Sequence, residues 1–548
     1  MINKFLNTQT KSISSASLIL AISYLTSAFL GLMRDRFLAG TFGAGSELDV
    51  YYAAFTVPDF IALVLVFGAI SAAIIPIFSS YIIKSREEAW KYVSALFNVF
   101  LGFLIIVCII FIIFAPAIVS LIAPGFSGEK REMTVLLMRI MFLSPIILGA
   151  SNMVSGILQV FHRFLVTALA PIMYNIGIIT GILFFVPRFG LPGLAWGVVL
   201  GGFLHLLIQL PAFFFSGFRY QAIFDIKHPG VSKTIKLMAP RSLGLGAGQL
   251  NTIAITAIGS TLMSGSIAVF NLANNLSSIL VNTVAVSLST AVFPSMSMAF
   301  IQDGEEKFLQ KFSNAFRQTI FLIIPISLLV LILRAQIVRV ILGAGKFDWV
   351  DTRLTTACLG ILAFSLFAQG LIFILSKTFY AAHNTKIPAI VSGLTVAFNI
   401  VLSLILVWLI KSSVAFTMFL QTFFRLEGVK NMGIVGLALA YSVTAILECF
   451  LLLYLLYKKF PKLKVKETSD SLYKILIASC IMVVFTFLTR QFLVQYNFIS
   501  LQTFWEVLLQ LVLSGIVGVI TYAAATYFLK SPEIKIIADS FLKKFNLD

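Results

Sequence analysis

Long apolar runs without charge recur from one end of this chain to the other. The first, Ala16 to Met33, holds eighteen residues that carry no charge, and "GFLIIVCIIFIIFAPAIVSLIA" occupies 102–123 in the same manner. A run of about 20 apolar residues crosses a hydrocarbon core as a helix, because the backbone has no water to bind there. These runs do not alternate polar with apolar residues, as a transmembrane β-barrel would. Only 11% of the residues are charged and mean hydropathy is +1.01, against about 25% charged in soluble domains. The chain reads as an all-α polytopic membrane protein.

Apolar spans bounded by charges or turn residues number fourteen, from 15–33 to 503–529. Pro58, Pro76, Pro145, Pro294 and Pro325 are kink sites within them. With the N-terminus inside, the inner segments hold 25 of the 40 Lys and Arg and the outer loops hold 13. That asymmetry places both termini in the cytoplasm. The formal charge of +18 follows from this topology and from anionic headgroups rather than from nucleic acid. Lys4 and Lys11 precede the first span with no small-residue cleavage site, so that span reads as a retained helix. Cys108, Cys358, Cys449 and Cys480 sit singly in apolar runs and read as small buried hydrophobes.

An internal repeat orders these spans. "SAAIIPIFS" (71–79) and "STAVFPSMS" (289–297) share S-[AT]-A-[IV]-[IF]-P-x-[FM]-S at an offset of 218. Phe126, Ser144 and His162 recur as Phe347, Ser365 and His383, each at an offset of 221. The repeat unit is six helices, an even number, so its copies share one orientation. The expected organisation is two parallel six-helix bundles, 1–218 and 219–460, followed by two appended helices and a cytoplasmic tail, 461–548. In such carriers the substrate site lies between bundles that rock around it.

No catalytic set appears: there is no Walker loop, HExxH or GxSxG, and the four histidines are dispersed. No enzyme activity, metal or cofactor is expected. The informative residues are ionisable or strongly polar groups within apolar spans, which are costly there. Arg34, Asp35 and Arg36 follow the first span, Asp49 opens the second and Asp59 lies beside Pro58. Arg34 with Asp35 is either a local ion pair or part of a cavity. Arg36, Arg241 and Lys377 read as cations snorkelling to the interface. Glu448 in the twelfth span is either a ligand for a coupling ion or a helix–helix hydrogen bond. Gln249, Asn251, Asn274 and Asn275 either bind helices together or line a polar cavity that accepts a sugar or diphosphate.

At this point motifs come together. "GLMRDRFLAGTFGAGSELDVYYAAFTVPDF" (31–60) closely resembles the signature of the MurJ/MviN lipid II flippases, G-x-x-R-D-x-x-x-A-x-x-F-G-A-G-x-x-x-D-A-F-x-x-A-F-x-x-P-N. "APGF" (123–126), "LAPIMYNIGII" (169–179), "LAWGVVLGGFLHLLIQLP" (194–211), "GKF" (345–347) and "FYAAHNTKIP" (379–388) follow in family order. The resemblance implies the fourteen-helix fold of the multidrug/oligosaccharidyl-lipid/polysaccharide exporter superfamily, in a bacterial cytoplasmic membrane. It implies transport of an undecaprenyl-diphosphate disaccharide-pentapeptide to the outer leaflet by alternating access, with cell-wall synthesis proteins as partners. It also implies a lipid-tail groove at helices 13 and 14. A monovalent cation or the membrane potential would supply energy, with a cation site falling near Asn399 and Ser442.

The chain departs from the family at several positions. A usual helix 1 Arg falls on Ala28, the helix 2 Arg-Arg pair and Glu fall on Ala62, Leu63 and Phe67, and "ADR..E" of helix 8 falls on Ala273, Asn274, Asn275 and Ser278. Rival readings are a carrier for another polyprenyl-linked glycan of O-antigen or teichoic-acid type, a cation-coupled drug antiporter and a non-transporting scaffold. The expected arrangement has Arg34 facing the cleft as a diphosphate contact. Gly40, Gly43 and Gly45 would form a turn that brings Asp49 back, so that Asp35 or Asp49 orients the guanidinium.

Overall fold

The computed structural model describes residues 13–67, 70–429, 432–463, 465–496 and 498–534. Helices in its first half are α1 (Ile13–Phe42), α2 (Ser46–Val66), α3 (Arg86–Ile113), α4 (Gly128–Val160), α5 (Phe164–Phe189), α6 (Leu191–Phe215) and α7 (Pro229–Ser260). In the second half are α8 (Ser266–Asp303), α9 (Glu305–Ile341), α10 (Trp349–Ala381), α11 (Lys386–Ser412), α12 (Gly433–Lys459), α13 (Val465–Gln495) and α14 (Phe504–Phe528). Twelve of these meet the length and composition of a membrane span. With the long helices α1 and α7, which that criterion leaves out, they are roughly consistent with the fourteen runs read from the sequence. Helix α2 resumes after its break as the apolar segment Ala73–Lys84. Lys4, Lys11 and the tail beyond Ile534 lie outside the described residues, as does the side chain of Arg241.

The repeat is visible in backbone detail. Helices α2 and α8 each carry a stretch of widened, π-type turns, at Ala62–Phe67 and Asn282–Val286, before the shared proline motif. Wide turns of this kind interrupt α-helices and concentrate at functional sites. His162 and His383 follow α4 and α10 at φ 57° and 54°. In both loops the next amide reaches back five residues, Arg163 to Leu158 and Asn384 to Phe379, at 3.0 and 2.9 Å. That is the left-handed cap that satisfies the last carbonyls of a helix. The paired histidines therefore mark a repeated helix stop.

The chain forms two compact units, residues up to Ala268 and residues from Val269. Neither unit edge falls on the repeat boundary at 218, because α7 packs along α2 and so groups with the first six helices. Helices α13 and α14 also pack within the second unit. Ile475, Ala478 and Met482 of α13 join Phe312, Phe316 and Tyr522 in one buried core, and the Tyr522 hydroxyl donates to the Phe321 carbonyl at 2.8 Å. Beyond α14, buried Glu533 accepts from Ser471 at 2.8 Å and lies 3.7 Å from Arg317, pinning both helices to α9.

Without water, helices associate by close packing and interhelical hydrogen bonds. Glycines carry the α5–α6 contact: a Cβ on Gly177 would lie 2.3 Å from Gly201 Cα, and one on Gly181 would lie 2.4 Å from Gly197 Cα. Replacing Gly197 by Val is therefore expected to force α5 and α6 apart at a cost of about 1–3 kcal/mol or more. Thermal unfolding of the detergent-solubilised chain measures this, and an unchanged midpoint would refute the close-packing account. Helix α4 is tied to α6 by a buried set in which Gln209 donates to Ser151 at 2.8 Å and accepts from Ser155 at 2.7 Å. Ser151 also contacts His205 Nδ1 at 2.7 Å. Cys108, Cys358 and Cys449 are buried as expected, whereas Cys480 is exposed on the outer face of α13.

Candidate functional site

Helix α1 does not stop at its first charges. It continues through Arg34, Asp35 and Arg36 to Phe42, so the arginine and aspartate stand inside a helix rather than in a loop. Asp35 is buried, and its Oδ1 accepts from Arg34 Nη2 at 2.9 Å and from Nε at 3.1 Å. Arg34 Nη1 donates to Asn175 Oδ1 on α5 at 3.4 Å. Asn175 is held in turn, donating to the Ser27 carbonyl and to the Pro171 carbonyl at 3.3 and 3.2 Å. The Arg34 side chain keeps 24% of its surface open while that of Asp35 keeps 2%. Carboxylate and amide thus orient a guanidinium that remains available to an anion.

Around this pair the first unit gathers hydroxyls and one further acid. Tyr51 and Tyr52 of α2 lie within electrostatic reach of both Arg34 and Asp35. The buried Tyr52 hydroxyl has no hydrogen-bond partner. Tyr174, beside Asn175, lies within electrostatic reach of Arg34 and Asp59. Gln249 of α7 lies close to the Asp59 carboxyl. The sequence reading missed Tyr51, Tyr52, Tyr174 and Asn175. The adjacent polar pair Tyr174-Asn175 inside "LAPIMYNIGII" was the available signal.

Asp49 has a different place from the one expected. Gly40 remains helical, and the turn is made at Gly43 (φ 66°) and Gly45, which caps α2. Asp49 Oδ2 then accepts from the Gly265 amide at 2.7 Å and Lys130 Nζ at 3.2 Å, while Oδ1 accepts from the Ala268 amide at 2.9 Å. It caps the start of α8, where free amides and the helix dipole favour an anion. Asp35 alone of the two acids holds Arg34 in this arrangement. Gly265, at φ +89°, allows the approach: a Cβ there would lie 1.8 Å from the Ala44 carbonyl oxygen. Gly125 of "APGF" packs against the end of α7, its amide donating to Ser260 Oγ at 3.0 Å. Lys130 also sits 4.1 Å from the Phe126 ring centroid.

The remaining candidates are spread out. Asn251 is half-buried on α7. Asn274 and Asn275 stand on α8 in the second unit, and the buried Asn274 Oδ1 has no partner. Asn399 accepts from Ser403 at 3.0 Å along α11. Ser442 of α12 meets Ser365 at 3.1 Å and donates to the Ile361 carbonyl. Glu448 accepts from Ser392 at 2.7 Å and Thr395 at 3.2 Å on α11. Arg36 is half-buried, and Lys377 lies 4.9 Å from the Phe293 ring centroid.

A repeated helical architecture with a partly open, oriented arginine places the chain among membrane carriers of the multidrug/oligosaccharidyl-lipid/polysaccharide exporter class. An inward-facing MATE transporter of that superfamily shares the fold, with a TM-score of 0.62 at 16% identity over 81% of this chain and 99% of the other. Residues 38–507 match the family model described as lipid II flippase MurJ, and the chain belongs to that family. It is 28% identical over 517 residues to a probable lipid II flippase MurJ of Buchnera aphidicola subsp. Schizaphis graminum, covering 93% of this chain and 95% of the relative. Over 373 residues it is 28% identical to the lipid II flippase MurJ of Burkholderia cenocepacia, covering 66% and 72%. A solved lipid II flippase MurJ in the inward closed conformation superposes with a TM-score of 0.73 at 26% identity, over 93% of this chain and 99% of the other.

Proposed function

We propose that this chain carries lipid II, a polyprenyl-diphosphate-linked peptidoglycan precursor, from the inner to the outer leaflet by alternating access, without catalysing a covalent step. The observation that carries this reading is Arg34, fixed by Asp35 and Asn175 yet partly open. A guanidinium so held matches the geometry of a diphosphate, with which it pairs in bidentate fashion. The neighbouring tyrosines, Gln249 and Asn251 supply neutral donors for a sugar. The charge asymmetry of the loops supports cytoplasmic termini, and a bacterial cytoplasmic membrane follows from the family.

The few acids leave little room for a drug antiporter, whose coupling needs membrane-embedded carboxylates. A carrier for another polyprenyl-linked glycan keeps one supporting observation: polar asparagines rather than charges stand at the family's α8 positions. Energy from a cation gradient would draw on Glu448, the sole carboxylate among the three coupling candidates, and the membrane potential is the alternative source. The decisive experiment depletes the resident flippase from a bacterium, expresses this chain and measures which leaflet exposes lipid II. Restored outer-leaflet exposure is expected. Good expression with lipid II still confined to the inner leaflet would favour the other glycans.

A further inference from the structure

On the orientation proposed above, the loops joining α9 to α10, α11 to α12 and α13 to α14 face outward. Together with the helix ends that flank them, they hold eight of the thirteen outer Lys and Arg, although topology gives cations no reason to gather on that side. Three of them meet within the second unit: Arg334 of α9, Arg490 of α13 and Arg425, which caps the short apolar helix Val414–Phe424. Arg425 and Arg490 both lie within electrostatic reach of Arg334, and Arg425 within reach of Arg490.

The surrounding chain is shaped to hold them. Arg490 Nη1 donates to the Ile332 carbonyl at 2.8 Å, laying its guanidinium along α9 just before Arg334. Gly360 of α10 leaves the slot for Arg334, since a Cβ there would lie 2.7 Å from Arg334 Cδ and 3.1 Å from Nε. Arg353 donates to the Arg425 and Glu427 carbonyls, each at 3.1 Å, fixing the third arm to α10.

Nearby acids are engaged elsewhere. Asp348 and Asp351 cap α10, Glu506 caps α14, and Glu427 lies 3.5 Å from Arg353. Among the described residues no carboxylate pairs with Arg334, Arg425 or Arg490. Arg334 stands seven residues before the end of α9, about 10 Å along the helix axis, a depth suited to headgroups. Exposed Phe419, Phe423 and Phe487 flank the cluster with surface for hydrocarbon.

We propose that Arg334, Arg425 and Arg490 bind a phosphate-bearing lipid headgroup at the outer membrane interface, separately from Arg34. A phosphodiester of a resident phospholipid and the diphosphate of a prenyl lipid share this chemistry. The inference rests on the orientation proposed above, but its test does not require transport.

The full chain, carrying Arg34→Ala to silence the central arginine, is purified in detergent. Phosphatidylglycerol, undecaprenyl diphosphate and phosphate-free diacylglycerol are titrated separately, with bound lipid read by native mass spectrometry. At least one phosphate lipid is expected to bind about tenfold or more tightly than diacylglycerol, and Arg334→Gln with Arg490→Gln is expected to remove that margin. Preference for phosphatidylglycerol identifies a resident phospholipid, and preference for undecaprenyl diphosphate identifies a prenyl lipid. Should the double variant fail to fold, Arg425→Gln on its exposed cap carries the test, with a loss of about fivefold. Equal binding of all three lipids, or affinity unmoved by these variants, would overturn the proposal while leaving the flippase reading intact.

Discussion

Replacing Arg34 by Ala is expected to abolish rescue of a flippase-depleted bacterium while the protein still inserts. The loss follows from what Arg34 offers an anion: each charge-assisted hydrogen bond contributes about 1.5–3 kcal/mol. A bidentate contact therefore accounts for at least ~100-fold in binding. Removal has a second consequence, because buried Asp35 would lose its partner, and an uncompensated buried charge is itself destabilising. The two effects are separable. Arg34→Ala combined with Asp35→Ala should recover expression and still fail to rescue, whereas Arg34→Lys should retain charge but lose the forked geometry. Normal growth with Arg34→Ala at wild-type protein levels would remove Arg34 from substrate binding.

The second large effect is expected at Asp49 and concerns stability more than affinity. Both of its oxygens are occupied, by the Gly265 and Ala268 amides and by Lys130. Asp49→Ala strands the lysine and uncaps the start of α8, a loss of about 3–5 kcal/mol for a buried pair broken on one side. Lys130→Met should cost less, because the carboxylate keeps its two amide donors. Asp49→Asn should fall between, since its amide oxygen can accept from only part of this set. The expected order of thermal midpoints in detergent is wild type, Lys130→Met, Asp49→Asn, then Asp49→Ala. Equal drops for Lys130→Met and Asp49→Ala would show that the ion pair, not the helix cap, dominates.

How far the sequence reached differs from residue to residue. Arg34 and Asp35 were legible because charge inside an apolar run is costly and so marks a role. Their setting was not, since a helix boundary read from hydropathy stops at the first charge, while the backbone continues until its hydrogen bonds run out at Phe42. Asp49 was legible as an acid at the start of α2, but its partners lie 81, 216 and 219 residues away. Asn175 and the tyrosines were obscured because neutral polar residues occur in many spans as simple helix–helix contacts. The paired histidines stood out as repeat markers, and only φ showed that both serve as left-handed caps.

By itself, then, the sequence determined the class of the chain, its fourteen spans, its repeat and its family. Those properties depend on local composition and period: a lipid-embedded backbone must close its own hydrogen bonds, and an even repeat preserves orientation. Tertiary structure alone decided which acid holds Arg34, that Asp49 caps α8, that α13 and α14 pack on α9, and that arginines of α9, α13 and the loop before α12 converge with no carboxylate partner among the described residues. Each of these depends on distances between residues far apart in the chain, which composition and periodicity do not encode.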